Sequence, residues 1–174
     1  MWVLPKHAAS LLGPSAKPGF KPQWVACSTL SDAPLMHKIT KGLWNGVIFG
    51  NFAELPDSTS PLMVKYKAAF DKFADKKSDH WGVFFYAGFG FVEPMVEGIK
   101  RAGKDLTVDS FVKAMETLKD FKGIMGRVTY APGERQGMRE VFIGRCGEAE
   151  VTTPDGKQEK MGQAVRLSDW IAVK

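Results

Sequence analysis

The sequence contains few of the residues that bind metals or carry out redox chemistry: its 174 residues include two cysteines and three histidines. Cys27 and Cys146 lie far apart and form no Cys-x-x-Cys motif, so neither a zinc site nor a redox pair is predicted. We expect two unpaired, buried thiols. The alternative is a single disulfide between the two cysteines in an exported parent.

Catalytic motifs are also missing. His7, His37 and His80 stand in unrelated contexts, and no two of them are spaced as metal ligands on a helix would be. The chain contains no Gly-x-Ser-x-Gly motif, which carries the nucleophilic serine of α/β-hydrolases. We therefore predict a protein that is not an enzyme, with no catalytic residue, no metal site and no cofactor.

Long apolar runs and clustered charge are absent as well. No window reaches about 18 consecutive apolar residues, and residues 1–7 lack the features of a secretory signal, so we expect a chain that neither spans a membrane nor carries its own export signal. The 24 basic and 19 acidic residues give a net charge of +5. The cations are scattered rather than gathered with aromatic residues, so no nucleic-acid partner is predicted.

The first part of the chain alternates between helical and extended patterns. An opening helix is predicted to end before Gly13-Pro14, and two apolar runs at 23–28 and 43–52 are typical of buried strands. A helix is predicted between them at 34–40. Residues 54–61, with two prolines and two serines, are predicted to be a linker.

From Leu62 onward the apolar period becomes helical. Three helices are predicted, and the third begins with Thr107 as its N-cap. The second carries glycines, which we interpret as places where another backbone approaches closely, because no nucleotide-binding glycine motif surrounds them. The predicted apolar stripes of the first two helices are Met63, Tyr66, Phe70 and Phe73, and then Phe85, Phe89, Val92, Val96 and Ile99.

After Lys119 the pattern is extended again, with strands predicted at 126–130 and 139–145. Asp155-Gly156 is a hairpin signal between 148–153 and 157–161. The order of elements predicts an α/β fold with part of its sheet formed late in the chain.

Several short segments, taken in order, resemble a family of solute receptors. They are Gly19-Phe20-Lys21-Pro22-Gln23, Gly46-Val47-Ile48, Pro61 with Tyr66 and Phe70, Tyr86-Ala87-Gly88, Ile99-Lys100-Arg101-Ala102-Gly103, Gly126-Arg127-Val128-Thr129-Tyr130 and Gly137. This series is similar to the second half of type I periplasmic solute-binding proteins of ABC importers, in the leucine/isoleucine/valine-binding branch. The resemblance covers nearly all of residues 6–145.

The resemblance implies an α/β receptor with two Rossmann-like lobes, of which the N-terminal portion is absent here. Residues 1–53 would belong to the far, C-terminal lobe, 54–61 would be a crossover, and 62–121 would be helices of the near lobe. Residues 122–174 would contain a second crossover at 122–126, the return to the far lobe and the C-terminal strands.

Four residues are predicted to contact a ligand: Ser28, Thr29, Phe85 and Tyr86. In the amino-acid receptors, an acidic residue that holds the ligand's ammonium group follows the strand matching 23–27. Ser28 and Thr29 stand there instead, which favours an organic acid, amide or other uncharged solute over an α-amino acid. A polar turn is the alternative interpretation for Ser28 and Thr29, and core packing is the alternative for Phe85 and Tyr86.

By the resemblance, the function is to bind a small polar or aromatic solute, such as an amino acid or organic acid, by hinge closure in the periplasm. The partner of the full-length parent would be the membrane permease of an ABC importer. A cytoplasmic ligand sensor on the same fold is the alternative. Without the rest of the near lobe, we expect self-association through exposed near-lobe surface or a chain that is a piece of a longer parent. The residues predicted to need another surface are Phe70, Phe73, Val92, Val96 and Phe111.

Overall fold

Helices and strands alternate over the first 51 residues and are followed, among the described residues, by three helices and then five strands, which confirms the predicted α/β class. The computed structural model describes residues 1–75, 77–152 and 156–173. The helices are α1 (Pro5–Ala16), α2 (Ala33–Ile39), α3 (Pro61–Phe73), α4 (Val83–Ala102) and α5 (Val108–Glu116), with a 3-10 helix at Ser28–Leu30. The strands are β1 (Val25–Ala26), β2 (Ile48–Asn51), β3 (Phe121–Gly123), β4 (Gly126–Val128), β5 (Glu140–Thr152), β6 (Gln158–Arg166) and β7 (Ile171–Ala172).

The chain divides into two compact units. The first unit comprises Met1–Asn51 and Phe142–Asp169, and the second comprises Phe52–Val141 and Trp170–Lys174. The segments predicted as crossovers, 54–61 and 122–126, both lie within the second unit. The assignment of particular residues to the near and far lobes of a receptor stays a prediction.

The first unit is built on a sheet with the strand order β1-β2-β5-β6. Strands β1 and β2 are parallel, whereas β2 with β5 and β5 with β6 are antiparallel. Helix α2 packs against β6 so closely that a Cβ on Gly162 would lie 2.4 Å from the Cβ of His37. The largest side chains buried in this unit are Leu30, Met36, Trp44, Phe49 and Phe142.

The second unit packs α3, α4 and α5 with the β3–β4 hairpin. Two glycines of α4 allow close approaches, but by side chains rather than by the backbone that was predicted: a Cβ on Gly90 would lie 2.4 Å from Met125 Cγ, and one on Gly98 would lie 2.3 Å from Met115 Sδ. Gly88 faces open space, so the prediction is wrong at that position. The predicted cap of α5 is present, because Thr107 and Ser110 form a reciprocal capping box.

Several predicted boundaries differ from the structure, and two of them have a clear physical reason. The strand predicted from residue 43 begins at Ile48, because Lys41, Gly42 and Gly46 have positive φ angles that form turns instead. Helix α1 continues through Pro14 to Ala16. Pro14 lies in the last turn of α1, where its missing backbone N–H costs the helix one hydrogen bond.

The late hairpin is confirmed by the pairing of β5 with β6, which extends from Gly144 opposite Arg166 to Thr152 opposite Gln158. Asp155, predicted in its turn, lies outside the described residues. The two cysteines are free thiols, and burial raises the pKa of Cys146 to about 11. Within the described part of the chain, no helix has both the length and the apolar character needed to cross a membrane.

Candidate ligand site

Polar side chains gather where the two parallel strands of the first unit end. Ser28 and Thr29 begin the 3-10 helix that follows β1, and Asn51 is the last residue of β2. Ligands of open α/β sheets bind outside the carboxyl ends of parallel strands. This edge of the sheet is therefore the candidate site within the first unit.

The hydroxyl groups of Ser28 and Thr29 have different surroundings. Thr29 Oγ1 donates to the carbonyl of Val3 at 3.3 Å and lies 2.9 Å from Cys27 Sγ. Ser28 is half-buried, and its hydroxyl makes no hydrogen bond to any of the residues that the structure describes. Ser28 thus offers a polar group to a ligand, whereas the Thr29 hydroxyl is hydrogen-bonded to the N-terminal segment of the same chain.

Asp32 is the acidic residue nearest to this edge in sequence. It is 3% exposed, and its Oδ1 accepts a hydrogen bond from Leu35 N at 3.1 Å. Asp32 is therefore the N-cap of α2, and its carboxylate satisfies the first turn of that helix.

A second polar pair at this edge was missed by the sequence reasoning. Ser31 Oγ donates to Asn51 Oδ1 at 3.3 Å, and both side chains are buried. The pair joins the start of α2 to the end of β2. The sequence signal for this pair is Asn51 itself, a polar residue at the end of an apolar strand. A buried side-chain amide needs a hydrogen-bond partner, so a polar neighbour could have been expected.

Phe85 and Tyr86 lie in the second unit, at the start of α4. Tyr86 is 1% exposed, and its hydroxyl donates to the carbonyl of Glu54 at 2.7 Å. Phe85 is half-buried and packs edge-on against Phe70 at 4.8 Å. The structure thus does not bring the four predicted residues into one compact unit, and a ligand-binding role for Phe85 and Tyr86 stays a prediction.

Packing by Phe85 also corrects one expectation about exposed residues. Phe70 was predicted to need another surface, yet it is buried between Phe85 and Trp81, which lies 5.5 Å away. Phe73 is 77% exposed at the last residue of α3, so it is one of the residues that still lack a covering surface within the described part of the chain.

The second unit contains a groove of about 530 Å³, here called the α3/α4 groove. Its apolar floor is formed by Leu62, Tyr66, Phe89, Val92, Val96 and Phe121. At one wall, Glu93 Oε1 accepts from the Tyr66 hydroxyl at 2.7 Å and Oε2 accepts from Ile124 N at 3.0 Å. The Tyr66 ring stacks on Phe89 with centroids 4.4 Å apart.

Burial perturbs the acid–base chemistry of this wall. Burial raises the pKa of Glu93, although the hydrogen bonds from Tyr66 and Ile124 oppose this effect. Burial and the neighbouring Glu93 carboxylate raise the pKa of Tyr66 far above its ordinary value. Both contacts of Glu93 are internal, so this carboxylate acts as a clamp between two helices and the β3–β4 hairpin.

Metal coordination finds no support in the parts of the chain that the structure describes, where no group of three or more His, Cys, Asp or Glu side chains is arranged to hold an ion. The polar edge of the first unit consists of hydroxyl and amide groups, which orient organic solutes by hydrogen bonds.

Comparison with known protein families assigns the chain to one of them. Residues 1–151 match the family model described as periplasmic binding protein. The chain belongs to the periplasmic binding protein family. This finding confirms the resemblance predicted from the sequence, and the family is one of solute receptors rather than enzymes. No curated protein matches the chain.

Solved structures share the fold at low sequence identity. A possible leucine/isoleucine/valine-binding protein from Rhodopirellula baltica is 17% identical, with a TM-score of 0.73 over 95% of this chain and 41% of that one. A fatty acid ABC transporter substrate-binding protein from Thermomonospora curvata is 20% identical, with a TM-score of 0.72 over 99% and 42%. A branched chain amino acid ABC transporter protein from Thermus thermophilus with bound valine is 14% identical, with a TM-score of 0.69 over 91% and 43%. This chain spans less than half the length of these relatives.

Proposed function

We propose that this chain supplies one side of the solute site in a receptor of an ABC importer. The receptor would work in the periplasm, close over a small solute by hinge motion and deliver it to a membrane permease. The first unit would contribute Ser28 and Thr29, which follow the carboxyl end of β1. Membership in the periplasmic binding protein family supports the proposal.

The observation that carries the proposal is the unengaged hydroxyl of Ser28 at this edge. A half-buried hydroxyl that has no partner among the described residues has its donor available for a ligand oxygen. A hydrogen bond to a charged acceptor such as a carboxylate stabilises a complex by about 1.5–3 kcal/mol. Ser28 is therefore the residue that we expect to orient the solute.

The solute that we propose is an organic acid rather than an α-amino acid. Asp32 is 3% exposed and its Oδ1 is the N-cap acceptor of α2, so we assign this carboxylate to the helix rather than to a ligand ammonium group. An ammonium group buried without a charged partner costs several kcal/mol. The solved relatives include one with valine bound and one named for fatty acids. Valine and fatty acids both contain a carboxylate.

Paired ligands test this proposal by isothermal calorimetry. Leucine is compared with 4-methylpentanoate, and phenylalanine with 3-phenylpropanoate, because each pair differs only in the amino group. We expect the acids without the amino group to bind more tightly. Ser28→Ala should weaken that binding by about 10- to 100-fold, which corresponds to one hydrogen bond to a charged group.

The matched control is Ser15→Ala, because the Ser15 hydroxyl donates to the carbonyl of Leu11 within α1. This control should bind like the wild type. Tighter binding of leucine than of 4-methylpentanoate would contradict the proposed ligand class, and equal affinities of the two serine variants would contradict the role of Ser28.

Self-association through exposed surface of the second unit is the remaining part of the proposal. It is independent of the solute site, because Ser28 and Thr29 belong to the first unit.

A further inference from the structure

Ser31 closes the 3-10 turn that carries Ser28 and joins this turn to the sheet. The backbone N–H of Ser31 donates to the carbonyl of Ser28 at 3.1 Å, and Ser31 Oγ donates to Asn51 Oδ1 at 3.3 Å. Asn51 is the last residue of β2, so one residue connects the end of the turn to the end of a strand. Ser31 is 4% exposed and Asn51 is 1% exposed, so both side chains are enclosed within the first unit.

The same turn is also held by residues 1–3. Cys27 N donates to the carbonyl of Met1 at 3.1 Å, and Thr29 Oγ1 donates to the carbonyl of Val3 at 3.3 Å. Among the described residues, the Ser28 hydroxyl is the side-chain group of this turn that makes no hydrogen bond. The contacts before and after Ser28 in sequence therefore restrain the turn and leave this hydroxyl available.

We infer that the buried Ser31–Asn51 pair is a positioning element, which holds the Ser28 hydroxyl in the orientation that a solute meets. This inference rests on the proposed role of Ser28 in the solute site. The pair itself does not touch the solute, because both of its side chains are enclosed. A group that is already held in its bound orientation binds more tightly, since binding then costs less conformational entropy.

The chemistry of the pair favours orientation over stability as its role. A hydrogen bond between neutral groups adds little net stability, because folding exchanges it for bonds to water. It is directional, however, and a buried polar pair can favour one conformation over others that apolar packing would allow equally. Leu30, which precedes Ser31, and Phe49 in β2 are both fully buried, so other side chains already supply apolar packing to these two segments.

Loss of the pair should lower the fraction of molecules in which Ser28 is correctly placed. The apparent dissociation constant rises by the inverse of that fraction, so a turn that is competent about one-fifth of the time binds about five-fold more weakly. Ser31→Ala removes the donor of the pair and should have an effect of this size, although residue 31 makes no contact with the solute.

Amide hydrogen exchange of the whole chain without solute tests whether the pair holds the turn. The amides of Leu30 and of residue 31 form the hydrogen bonds that close the turn, so both should exchange at least about 10-fold faster in Ser31→Ala. The amide of Ile48, which donates to the carbonyl of Trp24 at 3.1 Å, should exchange as it does in the wild type. A general loss of stability would accelerate all three amides together.

The matched control is Thr40→Val. Thr40 is 5% exposed in the same unit, and its hydroxyl donates to the carbonyl of Met36 at 2.7 Å at the end of α2. Valine has nearly the same size as threonine, so this variant also loses a buried hydrogen bond but does not alter the turn. The exchange of the Leu30 amide relative to that of Ile48 should stay unchanged.

NMR titration with 4-methylpentanoate tests the consequence for binding. We expect Ser31→Ala to retain the shifts at Ser28 but to require about five-fold more solute, and we expect Thr40→Val to bind like the wild type. Exchange at the turn that is no faster in Ser31→Ala than in Thr40→Val would overturn the inference, and so would wild-type affinity in Ser31→Ala. An absence of binding by the wild type would instead contradict the proposed ligand class, and the exchange result would still decide whether the pair holds the turn.

Discussion

The clamp formed by Glu93 leads to the most detailed prediction about stability. Glu93→Ala removes the acceptor of the Tyr66 hydroxyl and of Ile124 N. Ile124 is fully buried, and a buried N–H left without an acceptor costs about 1–3 kcal/mol. Tyr66 and Glu93 are only half-buried, so water replaces part of the second bond. We expect a loss of about 3 kcal/mol, which lowers Tm by about 6–12 °C in a chain of this size.

The matched control is Glu97→Ala, one turn further along α4. Glu97 forms an i,i+4 pair with Arg101 at 2.9 Å on the surface, and such pairs contribute about 0.3–0.5 kcal/mol. Urea unfolding followed by circular dichroism measures both variants. Hydrogen exchange gives a local measurement, because the amide of Ile124 should exchange faster only in Glu93→Ala.

Glu93→Gln separates the hydrogen bonds from the charge. The amide oxygen can accept from Ile124 N, and the amide nitrogen can donate to the Tyr66 oxygen, so both contacts survive. Burial raises the native pKa of Glu93, so the native state binds more protons than the unfolded state just above the ordinary pKa of glutamate. Wild-type stability should fall as the pH rises through this window, and the stability of Glu93→Gln relative to wild type should increase.

Two results would refute this reasoning. An equal loss of stability in Glu93→Ala and Glu97→Ala would mean that Glu93 does not clamp the hairpin. A difference between wild type and Glu93→Gln that does not change with pH would mean that the carboxylate titrates as it does in water.

Three further predictions concern other contacts. Gly98→Ala should destabilise the protein by about 1 kcal/mol because the added Cβ would overlap Met115. Gly88→Ala should stabilise it by about as much, because the added Cβ meets no atom of the described residues and alanine favours the helix. Thermal melts that rank the two variants the other way would contradict the packing of α4 on α5. Asp32→Ala should cost about 1–2 kcal/mol through loss of the N-cap, and Asp32→Asn should retain most of the stability in urea titrations. The hydrogen bond from His37 lowers the pKa of Glu148, so the stability lost in Glu148→Gln should be present above the ordinary pKa of glutamate and should disappear as the pH falls through the native pKa. A loss that persists below that native pKa would contradict the contact.

Much of the fold could be predicted because the signals are local. The helices α3, α4 and α5 follow from apolar periodicity, and the start of α5 follows from the capping preference of Thr107. The boundary of β2 was wrong because positive φ angles at Lys41 and Gly46 shape a turn that the apolar run conceals. Local propensity does not reveal where consecutive apolar residues leave the extended conformation.

The environment of each site residue could not be predicted, because it depends on contacts between distant segments. Ser28 and Thr29 are adjacent and chemically alike, yet Val3 engages only Thr29. Tyr86 looked like a residue for a pocket wall, but the carbonyl of Glu54 satisfies its hydroxyl inside the core. The Glu93 clamp was invisible for the same reason, since Tyr66 and Ile124 lie 27 and 31 residues away in sequence.

The most direct test of the central claim is a titration of the isotopically labelled chain with 4-methylpentanoate, followed by two-dimensional amide NMR. Because this chain supplies only one side of the proposed site, millimolar affinity is expected, which corresponds to about −4 kcal/mol. We expect saturable shifts of the amides of Ser28 and Thr29 and of the Asn51 side chain, and we expect Ser28→Ala to remove them. Shifts confined to the α3/α4 groove, or none at Ser28, would contradict that claim.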